Sequence, residues 1–189
     1  MNWAPRVASS RDIPAIEALI PPSVLELQAP YYPLAQREAA IGDVFAVDRQ
    51  LIDDGTYFVV EAEGRIVACG GWSRRRSLCG GDRRRNGDEG TLDPRTEPAR
   101  IRAFFVHPHW ARRGIGRALL RECERAIRAA GFRSATLSAT LAGEPLYACG
   151  GFRVTERTLL ALERGAPMPV VTMDKDLRGP VEAPEQDRA

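Results

Sequence analysis

Apolar positions follow two periods along this chain. Ile13, Ile16, Leu19 and Ile20 recur three and four residues apart behind Ser10 and Asp12, the pattern of a capped amphipathic helix after a short strand. Pro21 and Pro22 are expected to end that helix. The stretch PYYP at 30–33 reads as loop, and a second helix is expected over residues 34–52, closing at Asp53-Asp54-Gly55. The pattern then changes to strands. TYFVVEAE and RIVACGGWS flank Glu63-Gly64, a hairpin signal. Residues 74–99 break the pattern with charge, four glycines and two prolines, and read as a long exposed loop. RIRAFFV resumes as a buried strand stopped before Pro108. A helix over 113–130 carries Ile115, Leu119, Cys123, Ala126, Ile127 and Ala130 on one face and closes at Gly131. RSATLSAT is a strand, EPLYACGG a short helix, and FRVTERTLLALE and PVVTMDKDL two last strands. The order β-α-α-β-β-loop-β-α-β-α-β-β predicts an α/β chain around a mixed sheet, one domain over 1–177 with a fraying polar tail at 178–189.

Composition narrows the class. With 189 residues and 44% apolar side chains the chain can bury a real core. No run approaches the 18 apolar residues of a membrane span, and the first residues lack the apolar centre of a secretory signal, so a cytoplasmic protein without a membrane partner is expected. The four cysteines form no CxxC pair and there are two histidines, which argues against a metal site and a disulfide framework alike. A net charge of +2 is too small to suggest nucleic acid. Lys175 is the sole lysine, so an anion bound by this chain meets guanidinium groups or backbone amides.

Those two kinds of donor meet in FFVHPHWARRGIGRALL, residues 104–120. The first amides of a helix lack intrahelical partners and carry the positive end of its dipole, a site for phosphate. Gly114 and Gly116 present no Cβ there, and Arg112, Arg113 and Arg117 flank the turn. The same glycines equally fit a helix start that packs closely on a sheet. A Walker loop is excluded because no lysine follows the turn, and a dinucleotide fingerprint lacks both its third glycine and an acidic residue on the next strand.

The stretch from Ile101 to Thr140 and the following EPLYACGGFRVTE resemble the GNAT superfamily of acyl-CoA N-acetyltransferases. Val106 and Pro108 match its strand exit, Gly114 and Gly116 its turn, and Tyr147, Gly151 and Phe152 its closing motif. Two positions depart: Ala111 stands where the family has Gln or Arg, and Thr140 where an asparagine is frequent. The resemblance implies a mixed, mostly antiparallel sheet flanked by helices, in which strand 101–106 splays from strand 134–140. Acetyl-CoA would lie in that gap as cosubstrate, without a metal. Its diphosphate would sit on Arg112, Arg113, Gly114, Ile115, Gly116 and Arg117, and its carbonyl on an amide near Phe105 or Val106. Thr140 would offer a hydroxyl, and Tyr147 would protonate the departing thiolate. An amine acceptor would attack directly in a ternary complex; a homodimer is left open. The strand carries no carboxylate to serve as base, which leaves His107, Glu144, Asp88 and Glu89 as candidates and supports a competing reading, a non-catalytic acyl-CoA sensor. The loop 74–99 reads as a solvated segment, a lid or part of an acceptor pocket, and Trp72 as core or acceptor wall.

Overall fold

A computed structural model of the chain describes residues 3–76 and 90–179. The elements are β1 (Arg6–Val7), α1 (Ile13–Leu27), α2 (Leu34–Ala40), α3 (Arg49–Asp53), β2 (Tyr57–Ala62), β3 (Arg65–Ser73), β4 (Ala99–Val106), α4 (Ile115–Ala129), β5 (Ser134–Thr140), α5 (Glu144–Cys149), β6 (Arg153–Leu160) and β7 (Met168–Asp176). The strands form one sheet in the order β1-β2-β3-β4-β5-β7-β6. β4 and β5 pair in parallel and the other described neighbours are antiparallel. The expected α/β architecture with a mostly antiparallel sheet is the one observed.

Both faces of the sheet are covered. On β2 all four of Tyr57, Phe58, Val59 and Val60 are buried, and their alternation sorts them: Tyr57 and Val59 join the core under α1, Phe58 and Val60 the core under α4. α4 contributes Ile115, Leu119, Cys123 and Ile127, spaced by four and fully buried. Burial of each such aliphatic side chain is worth about 1.5–3 kcal/mol. Trp72 belongs to this core, edge-on to Phe132, and not to the cleft described below.

Two helical boundaries differ from the sequence expectation. α1 does not stop at Pro21-Pro22 but runs through them to Leu27. Ile16, Ile20 and Val24 repeat by four on one buried face, so tertiary packing carries the helix across the two missing backbone donors. Beyond them, Arg37 Nη1 donates to the Leu25 carbonyl and Arg37 Nε to that of Tyr32, 3.0 Å away. The helix expected over 34–52 is two helices. Gly42 is left-handed at φ 80°, the buried Asp43 accepts from the Glu163 amide at 2.8 Å, and Asp48 caps α3 by accepting from Leu51 N at 3.2 Å. Asp43 is thus committed to a remote loop and breaks the helix it was expected to continue. In the expected loop, Leu92 is buried and Arg75 pairs with Asp54, so its described flanks are fixed to the body; residues 77–89 lie outside the described residues, as does 180–189 of the expected tail.

Candidate active site

The site begins where β4 leaves β5. The two strands pair only over Ala99–Ile101 against Ala135–Leu137. Past Ile101, β4 carries one residue more than its partner β3: Arg102 faces Gly71, but Phe105 already faces Cys69. The extra residue is taken up at Ala103, which is left-handed at φ 59°. A left-handed alanine is costly, and buried bonds hold it in place. The Tyr57 hydroxyl lies 3.1 Å from the Ala103 carbonyl and 3.2 Å from Cys69 Sγ, in the core under α1. The bend turns β4 away from β5 and opens a wedge, which α1, α4 and α5 wall into a cleft of about 460 Å³.

The direction of the β4 amides is fixed by their partners. His107 N donates to Val67 O on β3 at 2.8 Å, and the Phe105 amide donates to Cys69 on the same strand. Val106 N points the other way, to Ser23 Oγ of α1 at 3.2 Å. Of the two positions expected to supply a donor, Val106 therefore presents its amide to the cleft side and Phe105 presents its to β3. Ser23 was not legible as a site residue: a small hydroxyl on an apolar helix face usually packs.

At one end of the cleft lies the glycine turn. Arg112 and Gly114 are both left-handed, at φ 63° and 82°, so the chain curls into the start of α4. The first helical bond there runs from Ala118 N to Gly114 O at 3.0 Å, which leaves the amides of 115–117 ahead of the ladder. A Cβ on Gly114 would meet nothing within 4 Å, so its glycine is required by backbone conformation and leaves open space in front of the turn. Gly116 differs: a Cβ there would come within 3.1 Å of Leu146 Cδ2, so this glycine lets α4 and α5 approach. Close packing, expected against the sheet, is found at Gly116 against α5, while Gly114 keeps the space in front of the turn open. Arg112, Gly114, Ile115, Gly116 and Arg117 line the cleft. Arg113 does not: its guanidinium lies over the Trp110 ring, 4.7 Å from the centroid, and its carbonyl accepts from Trp3 Nε1 at 2.7 Å.

Tyr147 of α5 lines the opposite wall, buried between Phe104 and Phe152 at centroid distances of 5.9 and 6.1 Å. Burial raises its pKa well above the ordinary phenol value, with a smaller contribution from Cys123. Thr140 also lines the cleft, but its hydroxyl accepts from Gly143 N at 3.2 Å and so shapes the turn into α5. Of the four candidate bases, His107 lies outside the lining and its Nδ1 accepts from His109 N at 3.3 Å, while Glu144 pairs with Arg157 at 2.8 Å. Asp88 and Glu89 lie outside the described residues. The carboxylate that does line the cleft is Asp48, missed in the sequence because its partner is 54 positions away: Arg102 Nε donates to its Oδ2 at 2.7 Å, both side chains being buried.

Comparison with known proteins decides what this arrangement is. The model of the acetyltransferase (GNAT) family matches residues 22–151, which span the end of α1 from Pro22, the bulged β4, the glycine turn and α5. The chain belongs to the GNAT family. Solved structures share the GNAT fold at low identity. A GCN5-related N-acetyltransferase from Rhodopseudomonas palustris is 20% identical, with 93% of this chain and 96% of that one covered and a TM-score of 0.70. The yncA protein of Salmonella typhimurium, solved with its cofactor acetyl-CoA, is 19% identical over 99% of each chain, with a TM-score of 0.62. The paia N-acetyltransferase of Thermoplasma acidophilum, solved with coenzyme A, is 15% identical over 93% and 99%, also at 0.62. Among curated proteins no relative matches.

Proposed function

We propose that this GNAT protein transfers an acetyl group from acetyl-CoA to an amine by direct attack within a ternary complex. The observation that carries the reading is the three-residue β4–β5 pairing, which ends at a bulge and leaves Val106 N on the cleft side, in line with a left-handed helix start. The described residues fit the cosubstrate at both ends. The diphosphate would meet the amides of 115–117 and the guanidinium groups of Arg112 and Arg117, and open space in front of Gly114 admits it. The pantetheine arm would run along the free edge of β4, where the thioester carbonyl would exchange for the Ser23 hydroxyl at the Val106 amide. That amide then stabilises the oxyanion.

The amine must attack as the free base, with its proton passed to water, since His107 and Glu144 do not reach the cleft. Nitrogen bonds to the carbonyl carbon, the C–S bond breaks, and the thiolate takes its proton from the Tyr147 hydroxyl. The amide nitrogen loses its second proton to solvent, and Tyr147 is reprotonated from solvent. Burial keeps Tyr147 in its protonated form at neutral pH, the form an acid needs. No cysteine is asked to carry the acyl group: Cys69 and Cys123 are buried, and Cys149, exposed in the cleft lining, has no histidine beside it among the described lining residues.

The test is thermal and chemical. Coenzyme A at a large excess over its Kd should raise Tm, by mass action, and NAD should not. Acetyl-CoA with a panel of amines should release free thiol. A rise with NAD and none with coenzyme A, or binding without thiol release from any amine, would overturn the reading, the latter in favour of a sensor.

A further inference from the structure

The cleft continues past β4, away from the glycine turn, and its far end has a distinct chemistry. Ser23, Leu27 and Gln28 of the α1 wall line it together with Val44, Phe45 and Leu160. Gln28 is buried, with 8% of its surface exposed, and its Oε1 is wholly buried and accepts no hydrogen bond among the described residues. A buried carboxamide oxygen without a donor is unfavourable, and in a cleft it points to a ligand that supplies one.

Position decides which part of a ligand that is. Val106 N, beside Ser23, marks the reacting carbonyl on the acetyltransferase reading. Gln28 lies five residues further along the wall, about 7.5 Å at the helical rise. Displaced along the wall from the reacting carbonyl, it suits a group on the acceptor's body.

Charge narrows the class. Among the described lining residues Asp48 is the one carboxylate, and its charge is already matched by Arg102 at 2.7 Å. A second or third ammonium on the acceptor would find no further carboxylate among the described lining residues and would share the cleft with Arg112 and Arg117. Apolar walls favour an apolar body instead.

We propose that the far end of the cleft is the subsite for a monoamine with an apolar body and one neutral hydrogen-bond donor, which Gln28 Oε1 accepts. The proposal rests on the acetyltransferase reading and narrows its acceptor, against polyamines and aminoglycosides.

Thiol release from acetyl-CoA is measured with tyramine, tryptamine, 2-phenylethylamine, spermidine and kanamycin. Tyramine or tryptamine should exceed 2-phenylethylamine in kcat/KM by roughly tenfold, the worth of about one hydrogen bond. Spermidine and kanamycin should be the poorest. In Gln28→Met the advantage over 2-phenylethylamine should vanish while the Kd of coenzyme A, read by calorimetry, stays as in the wild type. Best turnover with spermidine or kanamycin overturns the proposal, and so does an unchanged preference in Gln28→Met. Turnover of no monoamine by a protein that binds coenzyme A overturns it too. Should Gln28→Met not fold, the wild-type panel alone decides. Failure to bind coenzyme A at all is a separate result, which overturns the acetyltransferase reading itself.

Discussion

The Tyr57 hydroxyl donates to the Ala103 carbonyl, 3.1 Å away, and so anchors the left-handed residue at which β4 turns from β5. Tyr57 is fully buried and sits two strands away from the cleft it shapes. Tyr57→Phe leaves that carbonyl without its donor, at a cost of about 1–3 kcal/mol. For a chain of this size each kcal/mol lowers Tm by roughly 2–4 °C. Calorimetric melting should show that drop, and acetyl-CoA affinity should fall with it because the wedge loses its fixed angle. An unchanged Tm and Kd would show that the bulge holds itself.

Gly114 separates conformation from charge. Asn and Asp both tolerate the left-handed region, so Gly114→Asn and Gly114→Asp should fold alike. The added carboxylate would face the diphosphate, whereas the carboxamide would not repel it. Coenzyme A should bind the Asn variant within about tenfold of wild type and the Asp variant at least about a hundredfold more weakly, a difference of some 1.4 kcal/mol per decade. Equal affinities for the two variants in titration calorimetry would remove the diphosphate from this turn.

Tyr147→Phe keeps the ring against Phe104 and Phe152 and deletes one proton. If that proton goes to the thiolate, kcat should fall by roughly 10²- to 10⁴-fold with little change in acetyl-CoA affinity. The pH dependence has a defined sign. Burial moves the phenol upward, so it stays protonated across the range where an ordinary tyrosine begins to ionise near 10. The deficit of the Phe variant should therefore be as large at pH 10.5 as at pH 7, whereas a phenol titrating near 10 would be mostly ionised there. A deficit that closes as pH rises would show a phenol of ordinary acidity.

The Asp48–Arg102 pair is buried on both sides, with 1% and 4% of the side chains exposed. Arg102→Met strands the Asp48 carboxylate and should destabilise by about 3–5 kcal/mol. The double variant Asp48→Leu with Arg102→Met should recover much of that loss, because two well-packed apolar groups replace two desolvated charges. Denaturant unfolding of the wild type, Asp48→Leu, Arg102→Met and the double variant forms the cycle. A double variant no more stable than Arg102→Met would show that Asp48 acts mainly through its cap on α3.

The parts of this protein that could be read from sequence are those with local signals. The hairpin at Glu63-Gly64, the stripe of α4, the glycine turn and the Tyr147 motif each sit within a few residues, and each stands where it was expected. What escaped is non-local. Pro21 and Pro22 are local stop signals overruled by a face that packs on a distant strand. Asp43 and Asp48 lie inside the helix expected over 34–52, and their roles appear only when their partners Glu163 and Arg102 are brought to them by the fold. Ser23 and Gln28 belong to the cleft only because α1 continues beyond the prolines. Glu144 shows the reverse: a carboxylate three residues from Tyr147, yet tied to Arg157 outside the cleft.

The same prolines leave one wall of the cleft with an incomplete backbone ladder. Lacking N–H groups, they leave the carbonyls of Glu17 and Ala18 without their helical rungs. α1 stays one helix because it is packed on both sides of that gap: Ile16, Leu19 and Ile20 are buried before it, and Ser23, Val24 and Gln28 after it. The β4 wall opposite is stiffened by strand pairing and by the buried anchor at Ala103. One wall of the cleft thus has its backbone bonds completed by a neighbouring strand, and the other keeps its helix only because both of its halves are buried.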